Sequence, residues 1–328
     1  AVRTLVRVTA RVLADDFPQL TVLAATSGDT GAAVTEACAG VPGVRAVVLY
    51  PRVGVSAVQE SQIARARPGV VALSVDGTFD DCQALVKRAL ADAALQGRRP
   101  LLTANSINPV RLIAQVPFAY HVRRLVAAGA KVGIVVPSGN LGNVGAVQLA
   151  RRMGLPIEAL VAATNVNSPL PELFATGAYR PRRAQPTASN AMDIGAPNNL
   201  DRLLAWREGG PAVEAVTVDD ATTLDTMRRV RAATGYVLCP HSAVGWKAAE
   251  DLRARRPDLD QVVVFGTAHP AKFPDVLQQA FGDAQASVFP FALPPPMPLK
   301  VGNDFEAVRD SLLAVGGVGR ARAHLEVL

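Results

Sequence analysis

The sequence predicts an α/β protein of open, largely parallel sheets with helices on both faces, divided into two domains. Three observations predict it. Seven short runs, at residues 21–26, 45–50, 70–75, 101–105, 131–137, 160–165 and 261–267, are near-continuously apolar and rich in β-branched residues, as strands buried on both faces should be. Stretches with helical spacing lie between them, so strand and helix alternate along the chain. The 328 residues suit two domains at roughly 150 residues each. The division is placed at a smaller domain over 1–110 and a larger one over 111–328.

Taken in order, the first run hands the chain to Ser27-Gly28-Asp29-Thr30-Gly31, a turn that Asp29 or Thr30 would cap if it served structure alone. A helix follows the third run over residues 81–90. The fourth run ends in Asn105-Ser106-Ile107-Asn108, where Pro109 opens a helix carrying Arg111. The fifth ends in Pro137-Ser138-Gly139-Asn140-Leu141-Gly142-Asn143, which holds three residue types favoured in anion-binding nests. A second clear helix spans 221–233, and the last strand runs into Gly266-Thr267-Ala268-His269. The proline tract at 293–298 reads as a linker or surface loop before a final helix over 304–313, with Asn303 as its cap.

Composition narrows the function classes. Hydrophobic residues at 49% and charged residues at 19% exclude disorder. The net charge of +6 comes from dispersed arginines, without the basic-aromatic interleaving of nucleic-acid binding, and suits phosphorylated or carboxylated small ligands. Cys38, Cys82 and Cys239 stand far apart, as do His121, His241, His269 and His324, so neither a disulfide framework nor a metal site is expected. No apolar run is long enough to span a bilayer. A cytoplasmic protein without a membrane or nucleic-acid partner is expected, and the start at Ala1 rather than Met implies a segment upstream.

Four strands thus deliver small polar residues at their carboxyl ends, the edge at which open α/β sheets bind ligands, and two of these loops enter helices whose free N–H groups attract phosphate. His269 and His241 read as packed, hydrogen-bonded residues. Lys87, Lys131 and Lys247 read as solvated, and Lys272 sits in a loop beside the expected site.

The residues Ala25-Thr26-Ser27-Gly28-Asp29-Thr30-Gly31-Ala32-Ala33, Asp80-Asp81-Cys82-Gln83-Ala84-Leu85-Val86-Lys87, Asn105-Ser106-Ile107-Asn108-Pro109, Pro137-Ser138-Gly139-Asn140, Ser189-Asn190-Ala191-Met192-Asp193 and Gly266-Thr267-Ala268-His269-Pro270-Ala271-Lys272-Phe273 resemble, in this order, the threonine synthase family. The resemblance implies a fold like that of tryptophan synthase β, with the cofactor in a cleft between domains. It implies pyridoxal 5'-phosphate as cofactor, serving as electron sink while O-phosphohomoserine and water become threonine and phosphate by γ-elimination and β-addition of water. By motif, Ser138, Gly139, Asn140, Gly142 and Asn143 would hold the cofactor phosphate, and Thr267 the pyridine nitrogen. Ser27, Asp29 and Thr30 would surround the substrate carboxylate and the cofactor's ring oxygen. Asn105, Ser106 and Arg111 would hold the substrate phosphate, a task suited to a planar guanidinium.

The sequence also departs from the family pattern. The segment that carries the family's Schiff-base lysine, His-Gly-Pro-Thr-x-x-Phe-Lys-Asp, is not present, and Ala1-Val2-Arg3 resembles the stretch just downstream of it. The chain as given is therefore expected to be truncated and inactive, with none of Lys87, Lys131, Lys247, Lys272 or Lys300 as nucleophile. Gly54 stands where a lysine is expected, Cys239 where Asp or Glu usually precedes Pro-His, and Leu141 where Phe is common. Two alternatives stay open at this point: another enzyme of this fold and cofactor, such as a dehydratase or phospho-amino-acid lyase, and a non-catalytic homologue that binds the cofactor or a phosphorylated metabolite.

Overall fold

The computed structural model describes residues 1–12, 15, 19–98, 100–208, 210–282 and 294–314. Two compact units divide the chain, the second beginning at Leu112. The first holds α1 (Val2–Val12), β1 (Leu20–Ala25), α2 (Asp29–Cys38), β2 (Val44–Pro51), α3 (Ala57–Ala64), β3 (Val70–Val75), α4 (Phe79–Ala91), α5 (Ala93–Arg98) and β4 (Leu101–Thr103), and α6 (Pro109–Ile113) contains the boundary. The second holds α7 (Val116–Leu125), β5 (Val132–Pro137), α8 (Gly142–Arg152), β6 (Ala159–Thr164), α9 (Leu170–Thr176), α10 (Leu200–Arg207), β7 (Glu214–Thr217), α11 (Asp220–Thr234), α12 (Pro240–Arg255), β8 (Gln261–Val264) and α13 (Pro274–Phe281). Then β9 (Leu299–Val301) and α14 (Phe305–Ala314) return to the first unit.

Both sheets are parallel, in the orders β4-β1-β2-β3-β9 and β7-β6-β5-β8. Alternate strand residues face opposite sides, and each side has its own core. In the first unit Val22, Ala24, Val48 and Tyr50 pack with α1 and α2, whereas Leu23, Leu49 and Leu73 pack with α4 and α14. In the second, Ile134, Val136 and Leu160 meet α7, α8 and α10, while Val135 and Val161 meet α12. Helices therefore cover both faces of each sheet, as the sequence predicts. Capping boxes start α3 (Ser56 with Gln59) and α4 (Thr78 with Asp81), each worth roughly 1 kcal/mol.

Four features differ from the sequence reading. Residues 294–314 were expected with the larger domain, but β9 pairs with β3 and Phe305, Val308 and Leu312 of α14 fill the core over α4. The reason is that β3 would otherwise leave an open apolar edge. Asp304, not Asn303, caps α14, its Oδ2 accepting from the Ala307 N–H at 3.0 Å. Of the proline tract, residue 293 lies outside the described residues; Pro294 and Met297 bond to Ser61 and Ala64 of α3. Finally, α1, β7 and β9 were not expected. The first is rich in Val and Thr, yet Val2, Leu5 and Val6 repeat at helical spacing and are buried; the two strands have only four and three residues.

The strand orders fix where ligands meet each sheet. In the first unit the chain moves from β1 through β2 to β3, then returns to place β4 on the other side of β1. In the second it moves from β5 through β6 to β7, then places β8 on the other side of β5. The strand order thus reverses beside β1 and beside β5, so the loops after β1 and β4, and those after β5 and β8, flank a switch point at the carboxyl edge of each sheet, where open α/β sheets bind ligands.

Candidate active site

The crevice of the second unit lies at the ends of β5 and β8. After β5 the chain turns through Ser138-Gly139-Asn140 and enters α8 from Leu141, whose φ of 60° places it in the left-handed region. Two side chains brace this loop from within. The Ser138 hydroxyl donates to Asn143 Oδ1 at 2.6 Å and accepts from the Leu141 N–H at 3.1 Å, and Asn143 Nδ2 donates to the Pro137 carbonyl at 2.9 Å. Gly142 and Asn143 are the first residues of the 11-residue α8, so their N–H groups precede the first intrahelical acceptor. Among the described residues no protein acceptor meets them. With no carboxylate between Pro137 and Val147, this donor set fits a phosphate.

Strand β8 ends three residues earlier than the sequence suggests, and Thr267 lies exposed in the coil beyond it. The buried Cys239 caps α12 by accepting from the Ser242 N–H, and the Ala268 N–H also bonds to its sulfur. Burial raises the proton affinity of that thiol. His241 is buried and its Nε2 accepts from the Ala191 N–H at 3.2 Å, so it is a packed, hydrogen-bonded residue, as expected; His269 caps a 3-10 turn through Nδ1.

A polar network beside the phosphate loop was not assigned from sequence. Asp193 Oδ1 accepts from Asn165 Nδ2 (2.8 Å), Asn167 Nδ2 (2.8 Å) and Thr187 Oγ1 (2.6 Å), and Oδ2 accepts from the Thr187 N–H (3.0 Å). Burial pushes its carboxyl up to about 6 against the pull of these bonds. Further along, the Asn198 N–H donates to Asn140 Oδ1 and Asn199 Nδ2 to the Asn140 carbonyl, at 3.2 and 3.0 Å. The sequence signal was the block Ser189–Asp193, noticed without a role.

The crevice of the first unit lies at the ends of β1 and β4. Thr26 shapes the first loop: its buried Oγ1 accepts from the N–H groups of Gly28 and Gly31, both at 3.0 Å. Gln59, fully buried on α3, donates from Nε2 to Asp29 Oδ1 at 3.2 Å and so orients that carboxylate from below. Neither residue was singled out from sequence, although Ser56-x-x-Gln59 is a legible capping box. Ser27 and Thr30 are half-buried on the same loop.

At β4 the three expected phosphate ligands stand in different surroundings. The amide of Asn105 is committed to β1, accepting from the Ala25 N–H at 2.8 Å and donating to its carbonyl at 2.6 Å. Ser106 is half-buried. Arg111 is no solvated helix residue: its Nη1 donates to the Ala104 carbonyl, and burial lowers its proton affinity to about 10, which leaves it charged at neutral pH. Gly54 is exposed three residues beyond β2 with φ 95°, and Arg52 pairs with Asp76 at 3.4 Å.

Comparison with known proteins gives a consistent picture. The family model for pyridoxal-phosphate dependent enzymes matches residues 2–267, and the model for the C-terminal part of threonine synthase matches residues 242–303. The chain is 39% identical over 314 residues to threonine synthase of Escherichia coli strain K12, covering 92% of this chain and 71% of that protein. It is 40% identical over 273 residues to that of Serratia marcescens, covering 80% of this chain and 62% of that protein. Among solved structures, Escherichia coli threonine synthase aligns with a TM-score of 0.85 at 36% identity, over 95% of this chain and 74% of that one. The pyridoxal-phosphate-bound threonine synthase of Brucella melitensis aligns with a TM-score of 0.82 at 32% identity, over 96% and 75%.

Proposed function

This chain belongs to the threonine synthases, a family of pyridoxal-phosphate-dependent lyases, and we propose that it turns O-phosphohomoserine and water into threonine and phosphate. When bound, the cofactor supplies the electron sink that lets carbon–hydrogen and carbon–oxygen bonds of the amino acid break. The N–H groups of Gly139, Asn140, Gly142 and Asn143 hold its phosphate, while Ser138 and the Asn143 side chain keep the loop in shape. The hydroxyl of Thr267 meets the pyridine nitrogen. In the first unit, Ser27 and Thr30 would hold the substrate carboxylate at the start of α2, beside Asp29, which Gln59 orients.

Ser106 and Arg111 take the substrate phosphate. Asn105 fixes the place of that pair by tying β4 to β1. A guanidinium already stripped of water by burial attracts an anion more strongly than a solvated one, because the surrounding dielectric is lower. The observation that carries this reading is topological: the motif residues sit on the loops that flank the switch point of each sheet.

The test uses the protein expressed from its complete reading frame and loaded with pyridoxal phosphate. It should release inorganic phosphate and threonine in equal amounts from O-phosphohomoserine. No phosphate release, with deamination of threonine or serine instead, would replace this reading with that of a dehydratase.

A further inference from the structure

We propose that Asp193 is a positioning residue for the cofactor phosphate: it anchors residues 187–199, and this segment holds the Ser138–Asn143 loop in its binding shape. The inference rests on the reading of that loop as the phosphate site. Residues 187–199 touch the loop at both of its central positions. A Cβ built on Gly139 would lie 2.8 Å from Ile194 Cγ1, 2.9 Å from Met192 Cα and 3.1 Å from the Ala191 carbonyl oxygen, so the loop backbone lies directly on residues 191–194. One residue on, Asn198 and Asn199 grip Asn140 by its side chain and its carbonyl.

At the centre of the ties that hold this segment is one carboxylate, that of Asp193. Asn165 and Asn167 follow β6, the neighbour of β5 in the sheet, and both donate to Asp193 Oδ1. Thr187 closes the near end through its hydroxyl and its N–H. Four donors converge on two oxygens, an arrangement that only a carboxylate satisfies completely. An asparagine there would turn an amide N–H₂ against either the Thr187 N–H or the Asn side chains. Other ties, from the Ala188 N–H to Asp220, from the Ala191 N–H to His241 and from Asn165 Nδ2 to the Ser189 hydroxyl, would keep the segment folded but would not restore its register against Gly139.

The experiment compares equilibrium binding of pyridoxal phosphate and of pyridoxal, which lacks the phosphate, by absorbance and fluorescence titration of Asp193→Asn, Asn199→Ala, Ser138→Ala and the parent protein. A change that merely loosened the fold would weaken both ligands alike. Asp193→Asn and Asn199→Ala should each reduce the preference for the phosphorylated form by about tenfold or more while leaving pyridoxal affinity within about twofold, the scale of one or two hydrogen bonds to a charged group. If Asp193→Asn fails to fold, Asn199→Ala tests the other grip on the same loop. Loss of preference in Ser138→Ala with full preference in both Asp193→Asn and Asn199→Ala would overturn the anchoring role and leave the loop assignment standing. Full preference in all three would overturn the loop assignment itself.

Discussion

Arg111 shows how burial changes what a single side chain can do. A lone arginine in a five-residue helix would ordinarily be solvated, and its contact with an anion would contribute little. Here the guanidinium is largely buried, bonded to the end of β4 and still charged at pH 7. Arg111→Ala should therefore cost about 1.5–3 kcal/mol in recognition of the substrate phosphate, or roughly ten- to a hundred-and-fifty-fold in kcat/KM. Arg111→Lys should fall between, keeping the charge but losing the planar fork. Steady-state kinetics and inhibition by inorganic phosphate read this directly, and unchanged phosphate inhibition in Arg111→Ala would leave the residue as a tie to Ala104 alone. Gly54 bears on the same question. With φ 95° it occupies a backbone conformation that costs a lysine roughly 1–2 kcal/mol, so restoring the family's lysine there would carry a strain that the sequence does not reveal.

The entrance to α8 concentrates the element-scale conflict in one residue. Leu141 has φ 60° and ψ 10°, a conformation that costs a residue with a Cβ roughly 1–2 kcal/mol, and glycine would avoid it. Leucine is nevertheless suited, because its side chain is completely buried among Val144, Val147 and Leu160, and burial of that size contributes about 1.5–3 kcal/mol. The two effects predict an unusual order. Leu141→Gly removes the buried side chain but also the strain, whereas Leu141→Ala removes most of the side chain and keeps the strain. Alanine should be the less stable of the two by roughly 1 kcal/mol, both lying below the parent, as measured by urea unfolding. If the alanine variant proves the more stable, the left-handed backbone at Leu141 is not a strain that the buried side chain outweighs.

At the scale of the whole molecule, the legible parts of the fold were those written in local pattern. The near-continuous apolar runs announced seven of the nine described strands, and the polar residues after four of them pointed to the loops that flank both switch points. What was not legible depends on partners distant in sequence. The pairing of β9 with β3 across more than two hundred residues has no local signature, nor does the commitment of the Asn105 amide to Ala25. Asp193 belongs with these, since nothing nearby announces that Asn165 and Asn167 will meet it. Its environment has a consequence for the stability of the protein as pH changes. The folded carboxyl titrates at about 6, above the ordinary 3.8, because desolvation outweighs its hydrogen bonds, and nearby Asp220 adds to the rise. The folded form thus holds this proton more tightly than the unfolded chain does. Its stabilising contribution is complete below about pH 4 and is lost as pH rises through about 6, a change on the order of 1–3 kcal/mol. Asp219, held below the ordinary range by its bond to the Thr222 N–H, acts in the opposite sense, but it is almost fully exposed and contributes only at lower pH. Urea unfolding of the parent and of Asp193→Asn at pH 4, 5, 6, 7 and 8 should therefore show the parent losing stability relative to the variant between about pH 4 and 6, and the two running parallel above about pH 7. Parallel curves across the whole interval would mean that Asp193 is ionised throughout, with its four donors outweighing the cost of burial.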